Sequence, residues 1–281
     1  MPVDHAQLRA LAADVGLGHA ADAIEHQARC GLRLESLPAP AETGCSKVGG
    51  LPDLPLGVDW PVGTDTRSLF LAQVAVDDIP GRTSALALGL SGAALISFFA
   101  FQDPATREVI DGRILLTPVG AELRRAKARE LSGGFIGDER AVSLQPVLSL
   151  PRPGAVETGA MRGVGLGDED RDAYLRLLAE LERAQGVEPP RHELLGHPDR
   201  TRDDILQEAA LMDAWAEGAE PSSTEELEAQ AERWRVLLRF DSERGMRWPG
   251  GGCAYFCIPA DVLPAGRYER VRAFTWAAPA G

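Results

Sequence analysis

A chain of 281 residues with 44% hydrophobic and 25% charged side chains can bury a core without disulfide or metal staples, which excludes whole-chain disorder. Asp and Glu outnumber Lys and Arg by 42 to 29, and the net charge of −13 repels phosphate backbones and anionic lipid. The expected partner is therefore neither nucleic acid nor a membrane.

The first residues, MPVDHAQLRALAADVG, carry charge early and have no apolar core of a signal peptide. No apolar run approaches the roughly 20 residues of a membrane helix, so a cytoplasmic protein is expected. Leu8, Leu11 and Val15 recur at helical spacing, and Gly16 to Gly18 interrupt the pattern before AADAIEHQARC. Residues 1–40 thus read as an N-terminal helical segment. The Pro- and Gly-rich LPAPAETG leads from it into a second regime, 41–281.

From Ser46 to about Leu150 the chain shows short β-like runs, LFLAQVAV, AALISFFAF, RILLTPV and AVSLQPVLSL, each bounded by Gly, Pro or Asp. Inside this first half, about 41–150, AELRRAKARELSGG predicts a helix that stops at paired glycines, with Arg124, Arg125, Lys127 and Arg129 on its solvated face. A linker and helices occupy 151–232. EDRDAYLRLLAELERAQG, TRDDILQEAALMDAWAEG and STEELEAQAERW read as helices, the last with a capping-box start. RVLLRFD, CAYFCIP and RVRAFTWA complete a second half over 233–281. The fold class is α+β. Two related, largely antiparallel β half-domains form an internal pseudo-repeat, with peripheral helices and the extra N-terminal segment.

The repeat rests on ordered blocks. KVGGLPDLP, LFLAQVAVD and GAALISFF recur as ELLGHPDRT, RVLLRFDSE and GGCAYFCI, so that Gly50 matches Gly196, Pro52 matches Pro198 and Asp53 matches Asp199. Duplication implies a groove between the halves. Cys30, Cys45, Cys253 and Cys257 form no C-x-x-C pair. Cys253 and Cys257 lie on one strand, where four residues span roughly 13 Å, too far to share a zinc. They read as core residues.

The blocks SKVGGLPDLPLGVDWP, LFLAQV, LISFFAF, HELLGHPD, LLRFDSERGMRW and AYFCIP, spread over residues 46–276, resemble the YwqG-like family of bacterial proteins of unknown function. The resemblance implies an α+β, largely antiparallel, cytoplasmic bacterial protein with no established activity and no shared catalytic constellation. The N-terminal helices and an Ala- and Glu-rich insertion around 214–231 fall outside it.

Several residues carry candidate chemistry. The Gly-x-Pro-Asp blocks are turns entering strands, since Pro presets φ and Asp bonds its own backbone; read functionally, they set Asp53 and Asp199 on one groove with Lys47 and His192. His192, His197, Asp199, Asp203 and Asp204 form the densest set of potential metal ligands. The same stretch also reads as a polar loop in which Thr201 or Asp203 caps a helix. Arg162 to Gly167 resembles a phosphate loop, but Asp168, Glu169 and Asp170 follow it and would repel a phosphate. No G-x-S-x-G is present. Asp241, Glu243, Arg244 and Trp248 lie in a Gly-rich loop after a strand; Trp248 either contacts a ligand or plugs the sheet, and Trp60 poses the same choice. Gln73 and Arg239 hold comparable positions on the central strands and would line the groove.

The expected function is an uncharacterised binding or interaction module holding a protein segment or small ligand in the groove. No catalytic residue, metal or cofactor is assigned. The alternatives are a metal-assisted hydrolase using His192 and Asp199, or a protective partner of a toxin or regulatory protein.

Overall fold

A computed structural model describes residues 3–81, 87–127, 137–153, 166–198, 202–242 and 248–276. The N-terminal chain forms α1 (His5–Asp14), opened by an Asp4–Gln7 capping box, and α2 (Ala21–Gln27). The helical segment does not extend to residue 40. Leu32 and Leu34, two apart, turn toward the core, and Arg29–Ser36 becomes strand β1 in the middle of the main sheet.

The remaining strands are β2 (Lys47–Val48), β3 (Asp53–Pro55), β4 (Arg67–Ala75), β5 (Ala93–Gln102), β6 (Val109–Pro118), β7 (Leu123–Arg125), β8 (Arg140–Ser149), β9 (His192–Leu195), β10 (Trp234–Asp241), β11 (Cys253–Pro259) and β12 (Arg272–Trp276). Among the described residues, three further helices are α3 (Arg171–Ala184), α4 (Arg202–Ala216) and α5 (Thr224–Ala231). The fold class is α+β, as the segregation of strands and helices implies.

Ten strands form one antiparallel sheet in the order β12-β11-β10-β9-β1-β8-β2-β4-β5-β6. The sheet curls into a nearly closed barrel. Its edges, β6 and β12, meet where the Val109 N–H donates to Thr275 Oγ1 at 3.2 Å, and where Gly112 leaves no room for a Cβ against Ala273 and Phe256. Four strands run outward on each side of the central β1–β8 pair. β1, which precedes the first wing in the chain, pairs with β9 of the second, and β8 pairs with β2 of the first.

The wings share local geometry. Register slips between Phe70 and Ala72 on β4 against β5, and between Val236 and Leu238 on β10 against β11. Two consecutive left-handed residues follow β2 and close β9, Gly49 and Gly50 in one wing, Leu195 and Gly196 in the other. Phe98 and Phe256, each opposite the residue where register resumes, pack edge to face at 5.6 Å.

Both faces of the sheet are covered, which accounts for strands as uniformly apolar as CAYFCIP. Ala254, Phe256 and Ile258 fill the barrel, while Cys253, Tyr255 and Cys257 point outward under α4 and α5. The two cysteines are core residues. α1, α2 and α3 pack over Leu148 and Leu150 beside β8. The small β3–β7 sheet covers Phe70 and Phe99, with Trp60 in the same cluster.

The helix expected over AELRRAKARELSGG is not formed at its start. Leu123–Arg125 is strand β7, paired with β3 so that Arg125 stands opposite Asp53. A buried carboxylate demands a counter-charge, and that requirement overrides helical propensity. Residues 128–136, with Arg129, lie outside the described residues.

Candidate functional site

The alternation of each strand sets its odd and even residues on opposite faces, so the outward positions of the wings decide where polar chemistry collects. In the first wing Lys47 on β2 and Gln73 on β4 are cross-strand neighbours, and Asp53 opens β3 above them; all three are fully buried. Lys47 Nζ lies 3.2 Å from Asp53 Oδ2 and 3.2 Å from Glu139 Oε2, and donates to the Leu51 carbonyl at 2.6 Å. Arg125 Nε donates to Asp53 Oδ1 at 2.5 Å, and its Nη1 reaches both Glu139 oxygens at 2.6 and 2.7 Å. The Gln73 amide donates to Asp53 Oδ2 at 2.8 Å and to the Cys45 carbonyl at 2.8 Å, while its Oε1 accepts the Asp53 N–H at 3.0 Å.

Burial pushes the Asp53 carboxyl upward, but the Gly44 N–H and the Lys47 charge outweigh it and hold the group below its ordinary value. Burial lowers the Lys47 ammonium, with Asp53 opposing. Burial also raises the Cys45 thiol nearby, which leaves it a poor nucleophile. Every charge here has a partner within the cluster. The network ties β2, β3, β4 and β7 together.

The second wing places a different set at the matching positions. Glu193 on β9 stands opposite Arg239 on β10, both facing outward. Here the surface opens into a cleft of about 40 Å³ between β8, the end of α3, and the chain entering and leaving β9. Three guanidinium groups line it, Arg152 after β8, Arg191 before β9, and Arg239. Glu182 on α3 bridges the first two, pairing with Arg152 and lying 3.0 Å from Arg191 Nη1. Arg239 Nη2 lies 2.7 Å from Asp241 Oδ1, and Asp241 Oδ2 accepts the Arg191 N–H at 2.7 Å. Arg191 Nε is buried without a hydrogen-bond partner among the described residues. Gln185 closes the floor: its side chain accepts the Leu148 N–H at 2.6 Å and donates to the Leu148 carbonyl at 2.9 Å, as a neighbouring strand would.

Residues 138–277 match the model of a domain of unknown function, DUF1963. No curated protein matches the chain. The DUF1963 region holds β8 to β12, α3 to α5 and the whole arginine cleft; of the first-wing network it includes only Glu139. An uncharacterised domain fits the lack of established activity that the YwqG-like resemblance implied.

The expected site residues separate. Lys47, Asp53 and Gln73 come together, but in the closed network. Gln73 and Arg239 do not share a groove: each faces outward in its own wing. Arg239 lines the arginine cleft and pairs with Asp241. His192 does not line it, because it points into the barrel on the opposite face from Glu193, stacked on Phe240 at 3.9 Å, with Nδ1 accepting the Asp241 N–H at 3.3 Å. His197 lines the cleft, and its Nε2 lies 2.7 Å from the Gln27 carbonyl. Asp199 and Thr201, and the side chains of Asp203 and Asp204, lie outside the described residues, as do 154–165 of the glycine-rich stretch and Glu243 and Arg244. Among the described residues no group of three or more His, Cys, Asp and Glu side chains is arranged to hold a metal ion.

Trp248 is 1% exposed inside the barrel core and donates its Nε1–H to the Phe240 carbonyl at 3.0 Å, so it plugs the barrel. Trp60 is likewise buried, donating to Ser68 Oγ at 2.8 Å.

Sequence reasoning missed Arg152, Glu182, Gln185 and Arg191. The signal for two of them was present. Arg152 sits in Pro-Arg-Pro and Arg191 follows Pro-Pro, and prolines hold such a segment extended so that its side chain is presented rather than folded back.

Proposed function

We propose that this chain is a binding module that anchors a carboxylate-bearing protein segment in the cleft formed by Arg152, Arg191 and Arg239. The supporting observation is the contrast between the wings. At matching outward positions, one wing buries its Lys47–Asp53 pair completely, whereas in the other wing three guanidinium groups, paired with Glu182 and Asp241, border an opening to the surface. Arg presents paired donors in a planar fork suited to a carboxylate. A volume of about 40 Å³ suits one functional group rather than a whole small molecule, which favours a side chain or chain end. The shared register slips and the shared left-handed pairs favour two duplicated halves, the second specialised for binding. The DUF1963 match, which spans the second wing, is consistent with that division. We place the module in the bacterial cytoplasm, in keeping with four cysteines that form no disulfide among the described residues.

Native mass spectrometry of gently purified protein tests the reading. A co-purified peptide or protein on the wild type that is lost from Arg191→Ala, with the fold intact, supports it. A clean apo mass for the wild type, together with no protein in a pull-down, overturns it.

A further inference from the structure

A second cleft lies apart from the arginine site, on the outer side of the second wing between α4, α5 and the β10–β11 end of the sheet. It holds about 260 Å³, just under the usual range of small-molecule pockets and suited to a compact ligand. Its floor is apolar: Ala210, Trp234 and Pro259 are buried beneath it, and Ala214 and Ala219 line its wall. Trp234, 4% exposed, contributes part of this apolar lining.

The rim is charged in an ordered way. Asp213 is committed, since it pairs with Arg270 and lies 2.5 Å from Arg272. Glu217 reaches Arg270 at 3.5 Å. Two charges of opposite sign remain. Arg233 and Asp261 are exposed, line the cleft, and enter no ion pair with each other or with any other described residue. The Ala260 N–H donates to the Arg233 carbonyl at 2.7 Å, which fixes both residues at the same end of the β10–β11 ladder. Complementary chemistry requires a ligand carboxylate for Arg233, a ligand ammonium for Asp261, and an apolar body for the floor.

We propose that this cleft binds a free apolar amino acid, with Arg233 holding its carboxylate and Asp261 its ammonium. The site is separate from the arginine cleft, and neither depends on the other.

Isothermal titration of the full chain with L-leucine and L-phenylalanine tests this, using Arg233→Ala and Asp261→Asn. Both residues are exposed, so an unchanged Tm establishes that each variant is folded. Saturable binding is expected. Leucinamide, which lacks the carboxylate, and 4-methylpentanoate, which lacks the ammonium, should bind about tenfold more weakly, the loss of one charge-assisted contact. Arg233→Ala should weaken leucine but not leucinamide, and Asp261→Asn should weaken leucine but not 4-methylpentanoate. No saturable signal from either amino acid up to ~50 mM, well above ordinary weak-ligand affinities, overturns the proposal. So does binding that both variants leave unchanged.

Discussion

Gln73 and Arg239 each directly follow the residue at which their strand regains register, Ala72 and Leu238, and each stands opposite a charged side chain, Lys47 and Glu193 respectively. The backbone positions correspond; the side chains diverge. A neutral amide beside Lys47 can serve Asp53 and complete a closed network. A guanidinium beside Glu193 instead pairs with Asp241 and lines the cleft, so the two wings carry different side-chain chemistry on one geometry.

The closed network makes Asp53 a stability residue. Asp53→Ala strips Lys47 of its fully buried counter-charge and leaves a buried ammonium matched only by the less buried Glu139. A loss of about 3–5 kcal/mol is expected from breaking one side of a buried pair. Urea unfolding at neutral pH measures it; a loss below ~1 kcal/mol would place the pair in the range of solvated surface ion pairs.

The same carboxylate sets an acid dependence. Its folded pKa lies below the unfolded value of 3.8, so the unfolded chain takes up the proton first as the pH falls. Stability from Asp53 is complete above 3.8 and declines below it until the folded group protonates. Unfolding free energy measured across the acid range should fall less steeply in Asp53→Asn than in wild type. Parallel curves would assign the acid response to other groups.

Gln185 stands in for a strand at the edge of β8. Gln185→Leu keeps the bulk and orphans both the N–H and the carbonyl of Leu148. About 2–6 kcal/mol of stability should be lost, given about 1–3 kcal/mol for each of the two buried unsatisfied groups. Faster hydrogen exchange at the Leu148 amide would identify the cause, and unchanged protection there would refute it.

Barrel closure depends on Gly112. A Cβ there would stand 2.6 Å from Ala273 Cβ and 2.7 Å from a Phe256 ring carbon. Gly112→Val should separate β6 from β12 at a cost of about 1–3 kcal/mol, the range for overpacking. Hydrogen exchange should rise along β12 while β1 and β8 stay protected; equal protection in both proteins would mean that the edges are not held by this contact.

Much of the fold was legible because it is written in local pattern. The runs LFLAQVAV, AALISFFAF and RVLLRFD are apolar enough to demand burial on both faces, and β4, β5 and β10 form there. Ser223 caps α5 where the capping signal predicts it, accepting the Glu226 N–H. β1 and β7 were not legible. RCGLRLES carries only two core-facing leucines, and LRR reads as helix until Asp53 stands opposite it.

The sequence by itself determined the α+β class and most strand and helix segments, because propensity, capping and periodicity act over a few neighbouring residues. Only the tertiary structure decided that Gln73 and Arg239 face outward in separate wings, that His192 turns into the barrel, and that Arg152, Arg191 and Arg239 meet around one opening. Those outcomes follow from long-range strand pairing, the exchange of β1 and β8 between wings, and the requirement that buried charge find a partner far along the chain.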